Sequence, residues 1–230
     1  MDDYYRLVSG FQHFRTDLGD GMQTAVYING CLGRCAKTCA CPYLPEHDVG
    51  IDETEKKRYT ADELIAYLLE EKKWCASRRL TIAFLGGEPL SDPWYCFHVA
   101  KALKKAGMGV VFSTCGNAGE NALFIVREVT DLFIFELYTI IPSAYRRLTG
   151  LPLKRCMDAL RYLNRTRLPY RIRLHVLPEY NQEEPEVFAH FCRSMGFAKS
   201  VILDFSRSTL NKEEQRRYRD VFLEYGVILY

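Results

Sequence analysis

Short apolar runs rich in Val, Ile and Phe alternate along this chain with longer stretches in which apolar residues recur at helical spacing. Strands buried on both faces read as continuous apolar runs, while the helices that cover them keep one apolar face. The alternation therefore predicts repeated βα units around a parallel sheet. Six strand-like runs stand out, at Thr24 to Asn29, Leu80 to Leu85, Gly109 to Ser113, Asp131 to Leu137, Tyr170 to Leu177 and Ser200 to Phe205. Helices are expected at Ala61 to Ala76, Pro93 to Ala106, Glu120 to Val129, Leu153 to Thr166, Glu183 to Met195 and Lys212 to Tyr225. Thr60 and Asn211 have side chains that can accept from the free N–H groups of a helix start. Gly107, Gly196 and Gly226 fall where helices should stop.

Six βα units build either an open doubly wound sheet or an incomplete barrel, and periodicity leaves both open. In either architecture the C-terminal strand ends carry the chemistry, so the residues just after each strand matter most. The 230 residues show no internal repeat, low-complexity tract or linker, and they suit one domain spanning 1–230. The longest irregular stretch, 30–59, joins a cysteine-rich loop to a charged run from Asp52 to Arg58, and loops of that length inside a compact domain are usually functional.

Charge and cysteine usage narrow the setting. The 31 basic and 29 acidic side chains nearly cancel and are spread throughout, so no basic stripe exists for nucleic acid or an anionic membrane. No apolar run approaches the roughly 20 residues that cross a bilayer. The acidic start, without an apolar signal core, leads us to expect a cytoplasmic protein with neither membrane nor nucleic acid as partner. Nine cysteines, an odd count, argue against a disulfide framework. Cys75, Cys96, Cys115, Cys156 and Cys192 are scattered singly and read as small buried hydrophobes.

The remaining four cluster in Gly30-Cys31-Leu32-Gly33-Arg34-Cys35-Ala36-Lys37-Thr38-Cys39-Ala40-Cys41-Pro42, directly after the first expected strand. Thiolates this close in sequence can converge on one metal centre. A four-cysteine zinc site prefers two separated pairs, and the single residue between Cys39 and Cys41 is tight for a tetrahedral pair. An iron-sulfur cluster held by only three cysteines leaves one iron open for a cosubstrate, and a loop hung from a strand end can hold it. A second constellation, Phe84-Leu85-Gly86-Gly87-Glu88-Pro89-Leu90, closes the second expected strand. Its glycines would admit a ligand close to the backbone, and Glu88 would offer a carboxylate to an amino group. Taken alone it is also what a tight turn looks like, with Ser91 capping the next helix.

The order of these two constellations across six βα units resembles the radical S-adenosylmethionine (SAM) superfamily. The resemblance implies a partial (β/α)6 barrel, a [4Fe-4S] cluster and SAM as cosubstrate. It further implies that Cys31, Cys35 and Cys39 hold the cluster and that Gly86, Gly87 and Glu88 bind the amino group of SAM. The usual spacing is C-x3-C-x2-C with an aromatic residue before the last cysteine, whereas this chain reads C-x3-C-x3-C with Thr38 there. Cys39 is preferred to Cys41 because Ala40-Cys41-Pro42 keeps Pro42 in register with the His-Asn-Pro that follows the last cysteine in activating enzymes of the family.

Gly19-Asp20-Gly21-Met22, Val129-Thr130-Asp131-Leu132, the segment Tyr145 to Gly150 and that from Arg173 to Pro178 are similar in order to the activating enzymes of glycyl-radical enzymes. By that resemblance Ser113, Thr114 and Glu136 would face SAM from strand ends and Arg173 would reach its carboxylate. No acid-base catalytic residue is assigned; His175, on a strand with apolar neighbours, reads as a satisfied core residue. Two departures concern the substrate end: Glu136-Leu137-Tyr138 stands where activating enzymes carry Asp-x-Lys, and Ser206 where they carry a His. The implied function is one-electron cleavage of SAM to a 5'-deoxyadenosyl radical that activates a glycyl-radical enzyme, with a flavodoxin- or ferredoxin-type reductant. Two alternatives stay open, a small tailoring enzyme acting on a peptide or metabolite and a non-catalytic cysteine-rich metal-binding module.

Overall fold

The computed structural model describes residues 5–18, 21–31, 33, 57–74, 80–196 and 201–230. All six expected strands appear, as β2 (Met22–Ile28), β4 (Leu80–Gly86), β5 (Gly109–Thr114), β6 (Leu132–Leu137), β7 (Tyr170–His175) and β8 (Val201–Asp204). They lie side by side in chain order and all run parallel. Outside β2 the chain adds two antiparallel strands that the periodicity does not predict, β1 (Tyr5–Arg15) and, beyond it, β3 (Lys57–Thr60). The expected irregular stretch 30–59 thus ends in a strand, because Lys57 to Thr60 pairs with Tyr5 to Val8.

The helices follow the expectation closely. They are α1 (Ala61–Trp74), α2 (Pro93–Lys105), α3 (Glu120–Val126), α5 (Leu153–Thr166), α6 (Pro185–Ser194) and α7 (Lys212–Glu224), together with the unexpected α4 (Pro142–Thr149). At the start of α1, Thr60 Oγ1 accepts from the Glu63 N–H while Glu63 accepts from the Thr60 N–H, and Asn211 forms the same reciprocal cap on α7. Asp92, rather than Ser91, caps α2: its carboxylate accepts from the Tyr95 N–H, and Ser91 accepts from Arg6 instead.

The period of two in the strands sorts the core into two faces. Val26, Ile28, Ile82, Phe84, Val110, Phe112, Phe133, Phe135, Ile172 and Leu174 are buried in the large core that includes the helices. Burying each such side chain contributes about 1.5–3 kcal/mol. Ala25, Tyr27, Ala83, Leu85, Val111 and Ile134 point the other way and form a second apolar cluster with Leu18. The sheet bends around that inner face: the Arg173 guanidinium in β7 donates to the Asp17 carbonyl in the turn after β1, 156 positions away. Six βα units on a curved, unclosed sheet make a partial (β/α)6 barrel.

Candidate active site

Along the inner face the early positions are small or aliphatic, Ala25, Ala83, Val111 and Ile134, and they pack against one another. Two residues on, at the C-terminal ends, the same face carries Tyr27, Leu85, Ser113 and Glu136, with Arg173 and Asp204 completing it on β7 and β8. These line a cavity of about 670 Å³, together with Cys31, Gly86, Gly87, Thr114, Cys115, Asn117, Ser206 and Arg207. That volume suits an organic ligand, whose pockets span roughly 300–1,000 Å³.

Two glycines join the start of the cysteine loop to the turn after β4. The Gly87 N–H donates to Ile28 O (3.0 Å) and the Glu88 N–H to Gly30 O (2.8 Å). A Cβ on Gly87 would lie 2.3 Å from Gly30 O and 3.1 Å from Cys31 Cβ, and one on Gly86 only 2.4 Å from Ile28 O. What comes close to these glycines is therefore the chain's own backbone, which seats the Cys31 thiol at the cavity wall. Cys31 Sγ there accepts from the Gly33 N–H (3.3 Å). Arg6, which no sequence signal marked, braces the seam by donating to Asn29 O and to Ser91 Oγ (2.8 Å).

Glu88 lies behind this wall, fully buried, and does not line the cavity. Its two oxygens accept from the Leu90 N–H (3.2 Å), Thr114 Oγ1 (2.8 Å), the Cys115 N–H (3.0 Å) and Cys115 Sγ (3.0 Å). Four donors fill the lone-pair sites of a carboxylate, so an amino group could reach Glu88 only in exchange for one of them. Burial raises its pKa, partly offset by these donors. Cys115 departs from its expected role as a core hydrophobe: it lines the cavity beside Cys31, and burial next to the Glu88 charge keeps it a thiol.

The far wall is a chain of buried charges on neighbouring strands. Ser113 Oγ donates to Glu136 Oε1 (2.5 Å), and Glu136 also faces Arg173 (3.5 Å) and His175 Nε2 (2.6 Å). The other imidazole nitrogen, Nδ1, meets Asp204 (3.1 Å), and Tyr138 stacks on the ring at 4.6 Å. His175, expected to be a satisfied core residue, is buried and bridges two carboxylates; the contacts depend on β7 lying in register with β8, which no local pattern announces. Burial alone would lower its pKa, but the hydrogen bonds to Asp204 and Glu136 and their charges push it up to about 9. Burial works against Glu136 and Asp204 as well, yet Arg173 and His175 hold the first, and His175 the second, below the usual carboxylate range.

A group whose folded pKa is raised stabilises the fold below its unfolded pKa and loses that contribution as pH climbs through the folded value. The wild-type chain should therefore lose on the order of 3 kcal/mol between about pH 6.5 and 9 through His175. In His175→Gln, urea midpoints across that window should stay nearly level; a wild-type decline that persists unchanged in the variant would remove the imidazolium as its cause.

No protein-family model matches the chain. Among curated relatives, the pyruvate formate-lyase-activating enzyme of Clostridium pasteurianum is 24% identical over 200 residues, covering 86% of this chain and 81% of that protein. The enzyme of the same name from Listeria monocytogenes is 29% identical over 174 residues, or 73% of this chain and 67% of that protein. Among solved structures, a domain of a pyruvate-formate lyase-activating enzyme from Bacteroides vulgatus matches with a TM-score of 0.57 at 20% identity, over 64% of this chain and 96% of that one. Streptococcus suis SuiB, bound to precursor peptide SuiA, matches with a TM-score of 0.63 at 15% identity, over 86% of this chain and 45% of SuiB. These likenesses support the radical SAM resemblance carried by the cysteine loop and the Gly86-Gly87-Glu88 turn.

Of the residues expected to serve a radical SAM site, the fold gathers Cys31, Gly86, Gly87, Ser113, Thr114, Glu136 and Arg173 around one cavity and sets Glu88 behind it. Cys35, Cys39, Cys41 and Asp20 lie outside the described residues, as does Cys75. Among the described residues no group of three or more His, Cys, Asp and Glu is arranged to hold a metal, and no helix is long and apolar enough to cross a membrane. A cysteine thiol on the rim of a ligand-sized polar cavity, with Arg173 and Glu136 of opposite charge inside it, fits a three-cysteine cluster and a zwitterionic cosubstrate such as SAM.

Proposed function

We propose that this chain is an activating enzyme that takes a hydrogen atom from a glycine of a partner glycyl-radical enzyme, in the cytoplasm, with a flavodoxin- or ferredoxin-type protein as reductant. A [4Fe-4S] cluster held by Cys31, Cys35 and Cys39 would supply the single electron that divides SAM into methionine and a 5'-deoxyadenosyl radical. The observation that carries the reading is the seam at Gly86 and Gly87, which fixes Cys31 at the edge of the cavity. The names of the relatives favour the glycyl-radical substrate.

The chain's own residues then have definite tasks. Gly86 and Gly87 offer backbone to the methionine end of SAM, and Glu88 holds the Thr114 and Cys115 wall in place. Arg173, already paired with Glu136 and Asp17, has further guanidinium donors for a carboxylate. Tyr27 and Leu85 form an apolar border that keeps water from the reacting atoms.

A second reading, tailoring of a peptide or metabolite, draws on Tyr138 and Ser206. Both line the cavity where activating enzymes would carry Lys and His. The third, a structural metal module, gives no reason for a ligand-sized polar cavity next to Cys31. The test is to add SAM to the reduced, cluster-loaded protein and then a candidate glycyl-radical protein. An EPR change on SAM addition, followed by a glycyl-radical signal in the partner, is expected. Release of 5'-deoxyadenosine with a short peptide or metabolite alone would favour the tailoring reading, and a spectrum indifferent to SAM would sink both.

A further inference from the structure

Asn117, in the turn after β5, lines the cavity and is only 4% exposed. Both of its amide protons are committed: Nδ2 donates to Tyr145 Oη (2.7 Å) and to Cys115 Sγ (3.2 Å). The Tyr145 hydroxyl also shares a side-chain hydrogen bond with the Cys156 sulfur. The amide is thus set with its nitrogen toward Tyr145 Oη and Cys115 Sγ. Cys115 Sγ in turn donates to Glu88. In this arrangement Asn117 Oδ1 is left buried without a donor. Folds rarely retain such an atom, since it loses water and gains nothing in exchange.

We propose that Asn117 Oδ1 is a ligand-orienting acceptor, which takes an N–H or O–H donor from a molecule bound in the cavity. The inference rests on the radical SAM reading of the site. Two sources offer that chemistry: the amino and hydroxyl groups of SAM, and the amide N–H groups of a peptide substrate. The acceptor is built in advance. Tyr145 and Cys115 hold the amide plane, so ligand binding need not order it. A donor that reaches Oδ1 also lies beside Cys115, which adjoins Cys31, so the contact would set a bound group's distance from the cysteine loop.

Asn117→Leu removes the acceptor at similar volume, and Asn117→Thr leaves a smaller side chain with a hydroxyl that can still accept. Both would be reconstituted with iron and sulfide beside the wild type. One arm titrates SAM into the reduced protein and follows the EPR spectrum. The other measures binding of an N-acetylated, C-amidated, glycine-centred heptapeptide to the SAM-loaded protein by calorimetry. Loss of one hydrogen bond should raise either the SAM Kd or the peptide Kd about tenfold in Asn117→Leu, with Asn117→Thr in between. The arm that moves names the source of the donor. The ligand-free Asn117→Leu protein should melt somewhat lower than wild type, since Tyr145 Oη and Cys115 Sγ lose the Nδ2 donor, so the dissociation constants and not the melting temperature decide.

If neither dissociation constant moves, including the case in which the peptide does not bind and the SAM value is unchanged, the proposal is overturned. A lower melting temperature as the sole effect would likewise make Asn117 a fold element. A wild-type spectrum that ignores SAM overturns the radical SAM reading and this proposal with it, whereas a wild type that responds while both variants match it overturns this proposal alone.

Discussion

Cys31→Ala should purify without its cluster, the iron falling from about four atoms per chain to background, and should release no 5'-deoxyadenosine from SAM. The fold itself should survive, because Cys31 sits past the end of β2 on the cavity rim and is no part of either apolar core. Far-ultraviolet circular dichroism and the melting curve of the metal-free protein test that half of the expectation. Cys39→Ala should behave the same way, while Cys41→Ala should keep its iron. A full complement of iron in Cys31→Ala would end the reading of the cysteine loop given above.

Gly87→Ala should be nearly as damaging, for a reason that has nothing to do with ligands. Its methyl group would lie 2.3 Å from Gly30 O and 2.6 Å from Gly30 C, backbone atoms that cannot swing aside as a side chain could. The turn and the cysteine loop must separate, which breaks the hydrogen bonds from Gly87 to Ile28 and from Glu88 to Gly30. A loss of about 2–4 kcal/mol is expected, together with poor cluster retention. Gly107→Ala is the control. At φ +75° it has open space and only backbone strain, worth about 1–2 kcal/mol, and it should hold its iron. Equal urea midpoints and equal iron in the two variants would show that the seam is not what seats Cys31.

The six parallel strands were legible because burial on both faces leaves uninterrupted apolar runs such as Leu80 to Leu85. β1 was not: its sequence mixes apolar and charged residues, and its pairing with β2 shifts register between Val8 and Gly10 and again between Gln12 and Arg15. α4 escaped notice because it is short and strongly polar. In the site, residues within a motif can be marked by reading along the chain, and the fold sets the marked Cys31, Gly86 and Gly87 on the cavity wall. The contacts of Glu136 with Arg173 and of His175 with Asp204 depend on which strands pair and in what register. Glu88 shows where such reading stops. The motif marked its position, but only the packing of Thr114 and Cys115 over it reveals which way the carboxylate points.

Arg173 and Asp17 stand 156 positions apart, and β4, β5 and β6 must lie between β2 and β7 before the two can meet. Contacts of such separation carry the largest loop-closure entropy and are slow to form. During synthesis the turn after β1 emerges early, whereas the guanidinium it binds arrives only with the seventh strand. The early strands can find one another well before that. The cavity cannot be assembled in halves, so competence to bind a ligand is among the last properties the folding chain acquires, after its secondary structure and most of its apolar core.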